Sequence, residues 1–131
     1  MQTISTVFWD LDGTLIDSEH LHMQSGDYAT QILEQELQLK ATPLNRDMTG
    51  MENRAVFDLL FGNAKLTNSQ EAFERWQRLA IDFFLDRVDS SQQIKQSIEL
   101  VKHFSAQGIM QSVVSSSTKE VIAHSLAQLG I

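Results

Sequence analysis

The sequence contains no cysteine, and this absence excludes both a disulfide framework and a thiolate zinc site. Proline occurs once and glycine six times in 131 residues, and 42% of the residues are hydrophobic, so global disorder is not expected. No apolar run reaches the roughly 18 residues of a membrane helix, and the N-terminus lacks the pattern of a signal peptide. We therefore expect a cytoplasmic protein of one domain, with or without a small insertion, and no membrane partner.

Basic residues are also scarce, since 10 Lys and Arg stand against 17 Asp and Glu, which gives a formal net charge of -7. The basic residues are scattered and form no stripe, so sequence-independent binding to nucleic acid is not expected. An acidic balance does not exclude a small anionic substrate, because local donors and a metal ion override net charge.

Hydrophobic periodicity predicts two strands with helices between and after them. Residues 3–9 are rich in β-branched and aromatic side chains and predict a buried strand, and residues 109–114 predict a second strand. Apolar spacing predicts helices at 18–39, 47–61, 69–87, 92–106 and from 118 onward. Two pairs have the spacing of helix caps, Asn68 with Glu71 and Ser117 with Glu120.

This order of elements predicts an α/β fold that carries a helical insertion. We interpret 17–88 as the insertion, and 1–16 together with 89–131 as part of an α/β layer with a parallel sheet. Only two strands are evident, and so small a sheet is marginal by itself.

Two aspartates follow the first predicted strand, at positions 10 and 12. The period of a strand points Asp10 and Asp12 towards one face, and at the carboxyl end of a parallel strand that face is a ligand crevice. Two adjacent carboxylates favour a cation such as Mg²⁺, whose preferred ligands are hard oxygens. Gly13 permits the turn, and Thr14 adds a hydroxyl. For an Asp-x-Asp pair alone, an acidic turn without chemistry would be the better interpretation.

The longer string Phe8–Glu19, FWDLDGTLIDSE, resembles the first motif of the haloacid dehalogenase-like superfamily of magnesium-dependent aspartyl phosphotransferases. The resemblance implies that Asp10 is the nucleophile and that Asp12 is the general acid and base. It also implies that Mg²⁺ binds the Asp10 carboxylate and the Asp12 backbone carbonyl. The fold implied is a Rossmann-like parallel sheet, incomplete in this chain, with an inserted α-helical cap.

Three serines follow the second predicted strand and precede a helix N-terminus, which is a favourable place for an oxyanion. The serines could also serve only to cap the helix. The family's second motif is a Ser or Thr at such a strand end, and Ser115 matches it. The resemblance implies that Ser115 donates a hydrogen bond to a phosphoryl oxygen and that Ser116 contributes its backbone N–H.

Residues 16–22 resemble the start of the helical cap in the β-phosphoglucomutase-like branch of the superfamily. His22 occupies a position near the hinge where that branch usually has histidine, and it would bond Asp12 or a substrate hydroxyl unless it is merely solvated. The segment 49–54 resembles the cap loop that reaches towards substrate. Gly50 matches that loop best, and Arg54 is a candidate anion contact whose alternative is a solvated helix position.

The family's third and fourth motifs, a lysine and one or two aspartates, follow the point where this sequence stops. We therefore interpret the chain as an N-terminal portion of a longer enzyme, or as one whose missing strands come from a partner chain by self-association. The leading hypothesis is a magnesium-dependent phosphatase of a small phosphorylated metabolite, such as a sugar phosphate. The alternatives are a phosphomutase, against which Thr14 argues mildly, and a non-catalytic fragment or binding module. A dehalogenase is disfavoured by Asp12.

Overall fold

The computed structural model describes residues 3–48 and 50–130 of the chain. Their elements follow in this order: β1 (Thr6–Trp9), α1 (Glu19–Leu37), α2 (Asn53–Phe61), α3 (Ser69–Arg87), a 3₁₀ turn (Ser90–Gln92), α4 (Lys95–Ala106), β2 (Met110–Val113) and α5 (Lys119–Leu129). The chain divides into two compact units. We call Met1–His20 with Arg87–Ile131 the α/β unit, and Leu21–Asp86 the helical unit.

The α/β unit is built on the pairing of β1 with β2, which run parallel from Thr6 opposite Met110 to Trp9 opposite Val113. The backbone N–H of Val114 continues the pairing by donating to the Trp9 carbonyl at 2.8 Å. The parallel arrangement confirms the predicted α/β fold, and it brings the carboxyl ends of both strands to the same edge of the sheet.

Helix α4 covers one face of this sheet. The rings of Trp9 and Phe104 lie 6.3 Å apart, and the indole Nε1 donates to the Gln111 side chain at 2.8 Å. Gln111 in turn donates to the Val101 carbonyl and to the Ser105 hydroxyl, each at 3.0 Å. These bonds fix β1, β2 and α4 as one layered group.

The opposite face of the sheet, which we call the open face, carries the exposed apolar side chains of Phe8 and Met110, and Ile4 and Val114 beside the strands are also exposed. The prediction of a buried strand is therefore wrong for this face, because alternate side chains of β1 point away from α4. The first strand also begins at Thr6 and not at residue 3, and the second spans Met110–Val113.

The α/β unit contains a second backbone pairing, between the segment that follows the β1 turn and the segment that precedes α4. Ile16 forms an antiparallel bridge with Gln93, and Ile94 N–H donates to the Leu15 carbonyl at 3.0 Å. The 3₁₀ turn before this bridge has its own reciprocal cap, formed by the side chains of Asp89 and Gln92. Because this turn is a separate element, α4 begins at Lys95, and the prediction of a start at residue 92 is wrong.

The helical unit packs α1, α2 and α3 around an aromatic core whose buried members are Ala29, Leu33, Phe57, Phe61, Ala72 and Trp76. The Phe57 ring lies 5.0 Å from that of Phe61 and 5.7 Å from that of Trp76. The Trp76 indole donates to the Thr30 hydroxyl at 3.1 Å, so its polar atom is also satisfied.

The bounds of α3 confirm the prediction over 69–87, and the Asn68 side chain accepts from Glu71 N–H at 3.1 Å as its cap. Helix α2 begins later than predicted, at Asn53. Gly50 lies before it with φ of +80°, a left-handed conformation that cannot belong to a right-handed helix. None of the helices in the described ranges is long and apolar enough to cross a membrane.

Candidate active site

A tight turn after β1 positions the two aspartates. The Leu11 carbonyl accepts from the backbone N–H groups of Thr14, Leu15 and Ile16, at 3.3, 2.9 and 3.2 Å. Gly13 N–H donates to the Ile16 carbonyl at 2.8 Å, and Gly13 has φ of +77°, which glycine adopts without strain. Leu11, Leu15 and Ile16 are all fully buried. Apolar side chains thus anchor the turn, while its acidic side chains remain at the surface or half-buried.

Asp12 is half-buried, and each oxygen of its carboxylate accepts from a serine hydroxyl. Ser18 Oγ donates to Asp12 Oδ1 at 2.6 Å, and Ser117 Oγ donates to Asp12 Oδ2 at 3.2 Å. Ser18 is fully buried just before α1, whereas Ser117 lies on the turn that follows β2. The second bond therefore joins the two strand-end turns across 105 residues of sequence.

Asp10 is exposed and sits between the end of β1 and the buried Leu11. Its Oδ1 accepts from the Leu11 backbone N–H at 2.8 Å. This bond from the backbone of the next residue orients the carboxylate, and the exposure leaves the group accessible to a small molecule. An accessible, oriented carboxylate two residues before a half-buried one suits a nucleophile followed by an acid and base.

The serine turn is organised differently from the prediction. Thr118, not Ser117, caps α5, because its hydroxyl oxygen accepts from Val121 N–H at 3.3 Å. The predicted cap at Ser117 is therefore wrong, and the Ser117 hydroxyl faces Asp12 instead. Ser115 Oγ accepts from the Ser117 backbone N–H at 3.1 Å, and the exposed Ser116 lies between them.

Three of the predicted site residues belong to the helical unit. The half-buried His22 ring stacks on Phe84, with centroids 4.3 Å apart and planes 11° apart. Gly50 is exposed, and Thr49 beside it falls outside the described residues. Their roles towards a substrate stay predictions.

Arg54, the third, is engaged within the helical unit. Its guanidinium donates to Asp58 at 3.1 Å and to Gln70 at 2.8 Å, and it lies over the rings of Phe57 and Phe73. These contacts account for the position of the side chain without an anion. The predicted anion contact stays a prediction.

The donor set at the β1 turn fits a magnesium ion in its chemistry. Mg²⁺ takes one or two carboxylates and fills its remaining positions with water and substrate phosphate, so a large protein cage is not required. Asp10 offers an accessible carboxylate, whereas both carboxylate oxygens of Asp12 are engaged by serines. The fit therefore depends on Asp10, and over 3–48 and 50–130 no group of three or more His, Asp or Glu residues is arranged to hold a metal.

Ser18 and Ser117 are the residues of this site whose roles the sequence did not reveal. Ser18 is part of the motif string, but a serine six residues after Asp12 carries no general signal of a contact with it. Ser117 stands beside Thr118, and either hydroxyl could cap the following helix on spacing alone. Only the packed structure shows that both serines bind the same carboxylate.

Comparison with known proteins gives a consistent result. The sequence profile of the family described as haloacid dehalogenase-like hydrolase matches residues 7–131. A solved hydrolase from Pseudomonas syringae aligns with a TM-score of 0.69 and 19% identity, over 98% of this chain and 57% of that one. A β-phosphoglucomutase from Clostridium difficile aligns with a TM-score of 0.68 and 20% identity, over 98% of this chain and 58% of that one. The putative HAD-hydrolase YfnB from Bacillus subtilis, bound to magnesium, aligns with a TM-score of 0.54 and 16% identity, over 98% of this chain and 61% of that one.

None of the curated protein sequences matches the chain. The solved structures show the fold, and this chain spans 57% and 58% of the length of the first two. The sheet is accordingly an incomplete version of theirs, with two parallel strands within the described residues. Because the profile covers nearly all of the sequence, it confirms the resemblance drawn from the first motif: the chain belongs to the haloacid dehalogenase-like hydrolase family.

Proposed function

We propose that this chain carries the nucleophile and the acid–base group of a magnesium-dependent phosphatase that acts on a small phosphorylated metabolite, such as a sugar phosphate. The observation that carries the proposal is the Asp12 carboxylate, fixed by Ser18 and Ser117 two residues after an accessible Asp10. Family membership supports a hydrolase, and the aspartate pair is suited to transfer of a phosphoryl group.

In the first step, a carboxylate oxygen of Asp10 attacks phosphorus and forms an aspartyl-phosphate. The bond from phosphorus to the leaving oxygen breaks, and its electron pair stays on that oxygen. Asp12, in its protonated form, gives its proton to the departing oxygen, so that a neutral alcohol leaves.

In the second step, a water molecule attacks the phosphorus of the aspartyl-phosphate. Asp12 takes a proton from the water, and the bond between phosphorus and the Asp10 oxygen breaks. Inorganic phosphate leaves, and Asp10 returns to a carboxylate. Ser115 would donate its O–H to a phosphoryl oxygen, since its lone pair already accepts from the Ser117 N–H. The backbone N–H of Ser116 and the hydroxyl of Thr14 would be further donors to the phosphoryl group.

Magnesium would be held by the Asp10 carboxylate and the Asp12 backbone carbonyl, the two oxygen donors that the first motif assigns to it. When bound, the ion would neutralise charge between the phosphoryl group and the anionic nucleophile. The putative HAD-hydrolase YfnB, which is similar in fold, is bound to magnesium, and this supports magnesium as the metal.

Replacement of the nucleophile tests the proposal directly. Asp10→Asn in the full-length protein should lower kcat/KM for phosphate release by about a thousandfold or more. The urea midpoint should hold, because Asp10 is exposed and an amide oxygen still accepts from Leu11 N–H. Beryllium fluoride should form a complex at Asp10 in the wild type and not in the variant. Asp27→Asn, at an exposed position on α1, is the control, and turnover retained by Asp10→Asn would contradict the proposal.

A phosphomutase is the second candidate, favoured by the likeness in fold to the β-phosphoglucomutase from Clostridium difficile. A mutase would return the phosphoryl group to a second hydroxyl of the sugar, and water would be excluded from the intermediate. Conversion of a hexose 1-phosphate to its isomer without release of phosphate would favour this candidate over the phosphatase.

A further inference from the structure

The Asp12 carboxylate accepts from two serine hydroxyls, and the two serines differ in origin. Ser18 belongs to the segment that continues directly from the Asp12 turn, so its bond at 2.6 Å is local. Ser117 comes from the turn after β2, so its bond at 3.2 Å depends on the pairing of the two strands. A planar carboxylate bound at only one oxygen can still rotate, whereas a second donor on the other oxygen fixes its plane.

The Ser117 hydroxyl is available for this contact because Thr118 caps the helix and Ser115 binds the Ser117 backbone. The Thr118 hydroxyl caps α5, which removes the usual reason for a serine at this place to face the helix. Ser115 Oγ accepts from the Ser117 N–H at 3.1 Å, which fixes the backbone from which the Ser117 side chain projects. The Ser117 hydroxyl thus projects from a hydrogen-bonded backbone and donates to Asp12 Oδ2.

The same two bonds connect the proposed phosphate contact with the proposed acid. Ser115 is bonded to Ser117, and Ser117 is bonded to Asp12. These bonds connect the position of the proposed phosphate-binding turn with that of the group proposed to protonate the leaving oxygen. A misplacement of about 1 Å is enough to slow a reaction by about a hundredfold.

We propose that Ser117 is a positioning residue that holds the Asp12 carboxylate in line with the leaving-group oxygen, an inference that rests on the proposed phosphatase function. Ser117 does not touch the substrate in this role. Its contribution is made through Asp12, so in the steps that kcat/KM reports it matters only when the leaving oxygen needs a proton.

The test compares two probes in the full-length protein. One is the alkyl phosphate that the wild type hydrolyses fastest, whose alkoxide must be protonated. The other is 2,4-dinitrophenyl phosphate, whose phenolate leaves without a proton. The quantity is kcat/KM, because it reports only the steps up to departure of the leaving group. Ser117→Ala should lower it about tenfold for the alkyl phosphate and less than about twofold for the dinitrophenyl ester. Ser117→Thr, which keeps the hydroxyl, should restore the alkyl phosphate rate.

Retained activity on the dinitrophenyl ester shows that Ser117→Ala is folded, and Ser112→Ala, an exposed serine on β2, is the matched control. An equal loss of kcat/KM on both probes overturns the inference, because a purely structural contact has no preference for the leaving group. No loss of kcat/KM on either probe overturns it as well. Asp12→Asn separates the two hypotheses. If Asp12→Asn shows the leaving-group preference and Ser117→Ala does not, only the role of Ser117 fails. If neither shows it, or if the wild type hydrolyses no alkyl phosphate, the proposed function fails as well.

Discussion

The helical unit and the α/β unit differ in where their aromatic side chains lie. In the helical unit, Phe57 and Phe61 are each 1% exposed within an aromatic core. In the α/β unit, Phe8 is 69% exposed and Met110 is 68% exposed on one face of the sheet. Burial of apolar area is the main stabilising contribution in folding, so loss of an aromatic ring should cost more in the helical core than on the exposed face of the sheet.

What the α/β unit does bury is informative about its function. Its fully buried apolar residues include Leu11, Leu15 and Ile16, all on the turn that carries the two aspartates. This turn is therefore held by its own side chains and backbone bonds, and not by the open face of the sheet. Part of the buried apolar area of the α/β unit therefore lies at the candidate site.

The largest difference in the free energy of unfolding is expected between a phenylalanine truncated in the helical unit and one truncated in the α/β unit. Phe57→Ala should lower the free energy of unfolding by about 3–5 kcal/mol, because it leaves a cavity beside Phe61 and Trp76. Phe8→Ala is the matched control and should cost less than about 0.5 kcal/mol, because its ring is already solvated. Urea unfolding of both variants measures the difference. A loss for Phe8→Ala as large as that for Phe57→Ala would show that the open face is covered in solution.

A smaller effect of opposite sign is expected for a buried serine of the α/β unit. The Ser125 hydroxyl is fully buried and has no hydrogen-bond partner within the described part of the chain. A buried unsatisfied polar group costs about 1–3 kcal/mol, so Ser125→Ala should raise the free energy of unfolding by about 1 kcal/mol.

Ser25 of the helical unit is the control for this substitution. It is also buried, but its hydroxyl donates to the His22 carbonyl at 2.7 Å. Ser25→Ala should therefore lower stability where Ser125→Ala raises it, as measured by the urea midpoint of each variant. Destabilisation by Ser125→Ala would show that the Ser125 hydroxyl has a partner in solution.

The sequence predicted those features that depend on neighbours along the chain. The bounds of α3 followed from apolar spacing and from the Asn68 cap, which acts within one helical turn. The order of the elements along the chain and the first motif were also local patterns, and the family profile confirms the resemblance based on that motif. Local signals therefore gave the fold class and the aspartate pair.

The sequence did not predict features that depend on distant contacts. The bond from Ser117 to Asp12 spans 105 residues, and it leaves Thr118 as the residue that caps the helix. The exposure of Phe8 depends on what packs against the sheet, because its residue type alone predicts burial. The late start of α2 depended on the left-handed Gly50, whose backbone angle the apolar pattern does not reveal.

The smallest effects concern one acid in each unit, Glu36 and Asp89. In the helical unit, the hydrogen bond from Arg75 and then its positive charge lower the pKa of Glu36 from its ordinary 4.5. In the α/β unit, hydrogen bonds from the Ser91 hydroxyl and backbone N–H lower the pKa of Asp89 from its ordinary 3.8. A lowered pKa in the folded state contributes stability that is present above the ordinary value and is lost as pH falls through the folded value.

Salt distinguishes the two acids, because it screens charge and hardly affects a bond from a neutral hydroxyl. At neutral pH, Glu36→Gln and Asp89→Asn should each slightly lower the urea midpoint, and the two losses should vanish in strong acid. In 1 M salt the screening length falls to about 3 Å, so the charge of Arg75 acts less on Glu36. The loss of urea midpoint from Glu36→Gln should therefore shrink, while the loss from Asp89→Asn should persist. If both losses respond equally to salt, the stabilisation of Asp89 is electrostatic, and the distinction between its neutral cap and the ion pair of Glu36 is wrong.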